Sequence, residues 1–550
     1  MAGPSGSGKS TISYAVNGMI PYRIKGFSKG NVNIFGKDIW KYDFMTLSKS
    51  VGLVKQNPLE QLVTFTVRDE IAFGLENLKY PEHEIKERVS QISEFMGIKE
   101  ILDRNIDQLS GGQKQLTILS SFLVMNPKIL ILDEPIAFLD QDSESLLLNR
   151  LHKLIKSKDY QLTLIIIEHR LSRILDIANR IVVLDNDGKI ALKGKIDNIM
   201  KKKFYELKSL NVRVPWLLNV FDGLKHTDQR PYDFQKAIDS LNNFSKPQLY
   251  ELKKSLLDKE IKPIHLNKYE DYENIISFDN LYIESIKNEL EDKKKKKFIE
   301  KPQNTIIEIK NLKFNYPNSN IQAIRNLSFT IQSGDFIGLV GPNGSGKTTL
   351  LYLLAGLYQP TSGKIIFKGQ NLEELDQDEY LKNIGFIFQN PESMIFKRTI
   401  KDEILYAPKN FNILDKVDDQ YLEKLISLVG NEDPEKNPFN LSWGQKRRLN
   451  LSSVFVYKPD IILLDEPFIG QDQKTIEELI ETLFIENKRG KTIIISSHDY
   501  HLLLKYTRKI IELNKDGSLK DYDLNGRFFQ KHSNLGPILL MNRINELLIK

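Results

Sequence analysis

The octapeptide Gly3-Pro4-Ser5-Gly6-Ser7-Gly8-Lys9-Ser10 returns, little changed, as Gly341-Pro342-Asn343-Gly344-Ser345-Gly346-Lys347-Thr348. Residues downstream keep pace with it: Lys9 and Lys347 stand 338 apart, Gln56 and Gln389 333, Asp133 and Asp465 332, His169 and His498 329. A repeat this long is a domain, so the chain folds as two similar domains in tandem and not as a solenoid. Its 550 residues allow two to four compact units, and 41% apolar residues suffice for full cores.

In the second copy, Ile306-Ile307-Glu308-Ile309 and Phe329-Thr330-Ile331 read as strands. Phe336-Ile337-Gly338-Leu339-Val340 runs as a strand into the glycine-rich loop, and a helix is expected from Thr349 onward. The apolar runs 461–464 and 492–496, separated by a helical stretch over 474–486, predict parallel strands with crossover helices, hence an α/β fold. Runs 129–132 and 162–167 repeat this in the first copy. The expected domains are 1–200, a C-terminal extension 201–244, a charged linker 245–304 holding Lys293-Lys294-Lys295-Lys296-Lys297, a second domain 305–525 and a helical tail 526–550. Nothing ahead of the first loop matches the 33 residues from Ile306 to Gly338, which include the strand that feeds the second loop. Such a strand is usually central, and its loss leaves neighbouring backbone groups unpaired at about 1–3 kcal/mol each. The expectation is a natural chain that starts upstream of Met1; an intact mass beginning at Met1 would end it.

Composition excludes more than it selects. Lys plus Arg at 78 against Asp plus Glu at 72 gives +6, too weak a field to argue for nucleic acid. Without cysteine there is no disulfide framework and no thiolate-held zinc or iron–sulfur cluster. Apolar runs such as 129–132 and 164–167 are strand-sized, far short of the roughly 20 residues that span a bilayer. The N-terminus does not read as a signal peptide, so the expected place is cytoplasmic.

A glycine-rich loop between strand and helix aims backbone N–H groups at phosphates. Lys9 or Lys347 then reaches the β/γ oxygens, Ser10 or Thr348 can ligate Mg²⁺, and Thr11 and Thr349 complete each loop's set of nucleotide-binding candidates. Asp133-Glu134 and Asp465-Glu466 place paired carboxylates where an apolar strand ends, the edge of a sheet at which ligands sit. The aspartate suits Mg²⁺, and the glutamate suits a general base toward attacking water.

Upstream of Asp133, Leu109-Ser110-Gly111-Gly112-Gln113 resembles the signature of ATP-binding-cassette ATPases; the second copy reads Leu441-Ser442-Trp443-Gly444-Gln445 and departs at Trp443. The resemblance implies a P-loop NTPase fold with two tandem cassettes, each with a mainly parallel sheet and a helical signature subdomain. It also implies ATP and Mg²⁺ as ligands. Gln56 and Gln389 are similar to the family's Q-loop glutamines, which contact the metal, His169 and His498 to its switch histidines, and Asp140 and Asp472 to its D-loop aspartates. Tyr316 resembles the aromatic that stacks on adenine. Cassettes of the family pair head to tail. One expected site joins Lys9, Ser10, Gln56, Asp133, Glu134 and His169 with Ser442 and Gly444. The other joins Tyr316, Lys347, Thr348, Gln389, Asp465, Glu466 and His498 with Ser110 and Gly112. Both irregularities fall on the first, so the second is expected to be the better ATPase, with Trp443 altering the backbone of the signature it interrupts.

Gln56-Asn57-Pro58, Gln389-Asn390-Pro391-Glu392, Ile167-Glu168-His169-Arg170 and the phrase Asn211-Val212-Arg213-Val214-Pro215 resemble the ATPase subunits of energy-coupling-factor importers, over roughly 1–243 and 305–525. The implied partners are an integral transmembrane component, which docks in a groove at the Q-loop, and a separate membrane protein that captures the vitamin or metal ion. The implied location is the cytoplasmic face of the cell membrane, without nucleic acid. The rival is a soluble twin-cassette ATPase acting on ribosomes, suggested by the charged linker and Ser496-Ser497-His498-Asp499. An ATPase of DNA repair would want long heptads between its motifs, and none are present.

Overall fold

The computed structural model describes residues 1–4, 6–25, 29–137, 139, 141–157, 161–210, 212–222, 234–256, 305–317, 322–430, 432–524, 528 and 536–549. Ser5, Asp140, Asn211 and the linker residues 257–304 with their lysine run lie outside them. The chain divides by contact into two units, Met1–Pro215 and Trp216–Lys550.

Strands are numbered along the chain: β1 Asn33–Ile34, β2 Lys37–Asp38, β3 Val51–Val54, β4 Ile129–Asp133, β5 Thr163–Ile167, β6 Arg180–Leu184, β7 Ile190–Lys195, β8 Thr305–Asn315, β9 Gln322–Gln332, β10 Phe336–Val340, β11 Ser362–Phe367, β12 Gln370–Asn371, β13 Ile384–Ile387, β14 Ile461–Leu464, β15 Thr492–Ser496, β16 Lys509–Leu513 and β17 Leu519–Leu524. In the second unit, β13-β14-β15-β10-β16-β17 form one sheet, parallel except for the β17 edge. All five residues of β10 are buried, as a central parallel strand covered on both faces requires. Register is set there by Gly338, which faces Ile495 on one side and Ile510 on the other. A second, antiparallel sheet, β12-β11-β8-β9, packs over one face through Ile307, Ile309, Phe329 and Ile331 against Ile337, Leu339 and Leu463. The other face carries the helical subdomain, whose last helix, Trp443–Phe455, buries Leu449, Leu451 and Phe455 against Ile462 and Ile495.

The first unit repeats the plan in reduced form. Its parallel sheet is β3-β4-β5, and β6 and β7 form a separate antiparallel ladder. Met1 and Ala2 lie between the two: Glu168 N donates to Met1 O at 3.2 Å, Ala2 N to Val182 O at 2.9 Å and Leu184 N to Ala2 O at 2.9 Å. Its helical subdomain contains Val67–Asn77, Glu82–Met96 and Gly111–Leu123.

One boundary differs from expectation. The extension expected over 201–244 divides at Pro215, and Trp216–Phe221, Phe234–Leu241 and the linker's first helix, Lys246–Leu256, join the second unit. Their apolar faces supply the reason: Leu217, Val220, Phe221, Leu241, Leu252 and Leu256 close one core with Leu540, Met541 and Ile544 of the tail helix Gly536–Ile549. Val340, Leu503 and Ile510 of the cassette floor that core, so these helices are anchored to the sheet that carries the phosphate loop.

Candidate active sites

The two glycine-rich loops are conformational copies. Gly3, Gly6 and Gly8 have φ of 148°, 80° and 83°; Gly341, Gly344 and Gly346 have 149°, 77° and 87°. Glycine is required twice over at Gly341, because a Cβ there would also stand 2.7 Å from Leu513 O, as one at Gly3 would stand 2.8 Å from Leu184 O. Gly8 and Gly346 cap the helices Lys9–Asn17 and Lys347–Leu354, whose first-turn N–H groups open into the loop. Lys347 Nζ donates to Gly341 O (2.8 Å) and Pro342 O (3.0 Å), and Lys9 Nζ to Gly3 O (3.0 Å) and Pro4 O (2.8 Å), so each loop encircles its own ammonium. The buried hydroxyls of Ser7 and Ser345 have no hydrogen-bond partner among the described residues, a donor waiting in each cradle. Cationic, glycine-lined and rich in undirected donors, both cradles fit the phosphates of ATP.

Beside each cradle stands the carboxylate pair. β4 ends in Asp133, and Asp465 follows β14. Thr348 Oγ1 donates to Asp465 Oδ2 at 2.8 Å, and Ser10 bonds Asp133. Among the described residues no three His, Asp or Glu cluster as metal ligands, so a divalent cation here would rest on this hydroxyl and carboxylate together with phosphate oxygens, a donor set of the Mg²⁺ kind. Burial raises Asp133 above the ordinary carboxylate range, against the lowering effect of the Ser10 bond and Lys9.

The glutamates that follow are held in left-handed backbone, φ 48° at Glu134 and 45° at Glu466, which a non-glycine residue adopts only under constraint. Glu466 N donates to Ser496 Oγ (2.9 Å), and that hydroxyl donates to Asp465 Oδ1 (2.6 Å), so Ser496 fixes both carboxylates. Nothing in the sequence analysis assigned Ser496 this role; a hydroxyl ending an apolar strand two residues before His498 was the available signal. Its counterpart is Ile167, whose carbonyl receives Glu134 N at 3.0 Å.

Side-chain surroundings then diverge. Gln56 Nε2 donates to Glu134 Oε2 (2.9 Å), and His169 Nε2 lies 3.0 Å from Oε1. Burial favours the neutral acid at Glu134, but His169 and Lys9 outweigh it and hold the carboxyl below its usual range. Glu466 accepts from His498 N at 3.3 Å, and its Oε1, 3.3 Å from His498 Nε2, is buried with no hydrogen bond among the described residues. Burial, aided by the charge of Asp465 and only partly offset by Lys347, pushes Glu466 up to about 7.

Ser110 and Ser442 cap the helices Gly111–Leu123 and Trp443–Phe455 with matching capping boxes, and Gly112 and Gly444 are buried in their first turns. The expected backbone change at Trp443 is corrected: the caps have φ/ψ of −66°/161° and −64°/161°, because a first helical position accepts any L residue; the Trp443 side chain is half-buried, its indole Nε1 without a hydrogen-bond partner among the described residues. Tyr316 leaves β8 beside the second loop, its hydroxyl 2.7 Å from Thr349 Oγ1 and its ring edge-on to Tyr358. Asp472 caps the helix Gln473–Lys488 by accepting from Thr475 N at 2.8 Å. Gln389 follows β13, and its carbonyl is held by Arg447, a buried residue the sequence reading passed over.

The description "ABC transporter" belongs to a family model that matches residues 1–137 and 324–469. A Clostridium perfringens protein provisionally named an ABC transporter ATP-binding protein is 32% identical over 523 residues, covering 95% of this chain and 84% of that one. A Bacillus subtilis protein provisionally named the HMP/thiamine import ATP-binding protein YkoD is 32% identical over 519 residues, covering 94% and 84%. The dimeric cassette MJ0796 is 28% identical over 40% of this chain and 99% of that chain, at a TM-score of 0.36.

Proposed function

Because this chain belongs to the ABC transporter family and is one of its ATP-hydrolysing proteins, we propose that it powers substrate import through an energy-coupling-factor type of membrane transporter. It binds ATP as its relatives do; in this reading it also uses Mg²⁺, held by Ser10 with Asp133 and by Thr348 with Asp465, and aided by Gln56 and Gln389. Bound there, the cation would neutralise charge developing between the β- and γ-phosphates.

The chain's own residues supply the rest. Loop N–H groups and Lys347 hold the transferred phosphoryl group, and Tyr316 flanks the base. Glu466, ionised, takes a proton from the attacking water, and His498 orients that carboxylate. The equivalents at the first site are Lys9, Glu134 and His169. Ser110 with Gly112 and Ser442 with Gly444 act across cassettes, each on the other's nucleotide. Glu134 is already engaged by Gln56 and His169, and we assign most turnover to the second site.

One observation carries the membrane partner. In the second unit Leu357, Phe386, Phe388, Met394, Phe396 and Tyr406, on both sides of Gln389 in the chain, line an apolar groove, and Phe396 is 65% exposed. The first unit displays Val63 (64%), Phe65 (82%) and Phe73 (45%) on the matching loop and helix. Apolar surface of this kind suits a short helix of a transmembrane component. No helix among the described residues is long and apolar enough to cross a membrane; in our reading the transmembrane component is a separate protein. The name of YkoD, an import ATP-binding protein, supports import; in our reading a distinct membrane protein captures the substrate and this chain lies on the cytoplasmic face. The test is a mild-detergent pull-down of the native protein, with its co-purifying proteins identified by mass spectrometry. Stoichiometric recovery of a polytopic membrane protein is the expected result; ribosomal proteins without one would overturn it.

A further inference from the structure

Three side chains of one helix reach the loop that carries Gln389. Arg447, 1% exposed, donates from one guanidinium nitrogen to Phe388 O and from the other to Gln389 O, each at 2.5 Å. Lys446 Nζ meets Glu392 Oε1 at 2.5 Å, and Asn450 Nδ2 donates to Pro391 O at 3.0 Å. All three project from Trp443–Phe455, the helix whose cap is Ser442. A charged fork to two consecutive carbonyls is a strong and directional link. Burial lowers the guanidinium only to about 10, so it stays charged at neutral pH, and the charge of Asp465 favours it.

The same positions in the first unit, at the constant offset of 332 that relates Asp133 to Asp465, are Lys114, Gln115 and Ile118. Neither Gln115 nor Ile118 can offer a two-pronged cation, and both are buried, at 3% and 1%. There the Q-loop is tied in a different way, through Gln56 Nε2 to Glu134.

We propose that Arg447 is a positioning residue for hydrolysis at the second site: it makes the signature helix and the Gln389 loop one rigid piece, so that Gln389 is placed at the phosphates only when that helix is seated. The first site lacks this coupling. The inference rests on the role given to Gln389 under the proposed function.

The test is steady-state ATP turnover by the full chain carrying Glu134→Gln, which leaves the second site to be read. Arg447→Gln, which installs the first unit's residue, is expected to lower kcat about tenfold while KM for ATP changes less than about twofold. Gln389→Ala alone is expected to lower kcat as well, and Arg447→Gln added to Gln389→Ala is expected to cost nothing more. Losses that multiply in the double variant, or an unchanged kcat in Arg447→Gln, overturn the proposal. An unchanged kcat in Gln389→Ala overturns the role of Gln389 itself, and the coupling with it. Should Arg447→Gln fail to fold, Arg447→Lys, which keeps the charge and loses the second prong, is read in the same cycle with the same outcomes.

Discussion

Two glutamates at equivalent strand ends differ in what touches them. Glu134 is engaged on both oxygens, by Gln56 and His169, whereas Glu466 Oε1 has only His498 Nε2 near it, at 3.3 Å and without a hydrogen bond among the described residues. Glu466→Gln should therefore lower ATP turnover about 10²–10³-fold, and Glu134→Gln by clearly less; equal losses would refute the asymmetry. With its pKa near 7, Glu466 gives turnover an acidic limb: activity should climb through pH 7 as the base ionises. The remnant activity of Glu466→Gln should lack that limb, since Glu134 ionises below the usual range. Stability follows with a definite sign. The folded value of about 7 lies above the ordinary 4.5, so the neutral acid is favoured by folding and the benefit disappears as pH rises from about 4.5 to 7. Glu466→Gln should raise the melting temperature more at pH 8 than at pH 5, a difference that calorimetry at the two pH values would read. The motifs made both glutamates legible as residues. Their inequality was not, because Gln56 is 78 positions from Glu134 and only the fold brings it within 2.9 Å.

At the scale of elements, strands were the easiest part to read. The runs 461–464 and 492–496 match β14 and β15 end to end, because continuous β-branched stretches in a doubly covered sheet leave no periodicity to misread. Buried charges were the hardest, since Lys, Arg and Glu on helices normally read as solvated faces. Arg447 is one. Glu403 is another, on Ile400–Ile404: its Oε2 accepts from Phe396 N (2.8 Å) and Lys397 N (2.6 Å), pinning the loop at the mouth of the apolar groove. Glu70 does the same for Val63 N (3.0 Å) and Thr64 N (2.9 Å) in the first unit. Glu403→Ala would strand those N–H groups at about 1–3 kcal/mol each, and the urea midpoint should fall accordingly, with Glu403→Gln losing less because it keeps an acceptor.

For the molecule as a whole, the duplication and the α/β class were plain from the offsets, but the allegiance of Trp216–Leu256 was not, since amphipathic helices do not announce their partners. Removing the tail helix Gly536–Ile549 would uncover Leu540's neighbours in that shared core and withdraw three buried side chains, Leu540, Met541 and Ile544. At roughly 2 kcal/mol per large apolar side chain, the second unit should lose several kcal/mol, visible as an earlier melting transition. At about 1 kcal/mol per well-placed lysine, the run 293–297 would assist docking on acidic lipid without anchoring the protein; its deletion should weaken co-sedimentation with acidic vesicles, and unchanged association would dispose of that idea. The shared core also sets a timetable. The helix ending at Leu256 leaves the ribosome 280 residues before Gly536, so at about 5–20 residues per second its apolar face waits between about 15 and 60 s for the helix that covers it. Until then that apolar face is a natural target for a chaperone during synthesis.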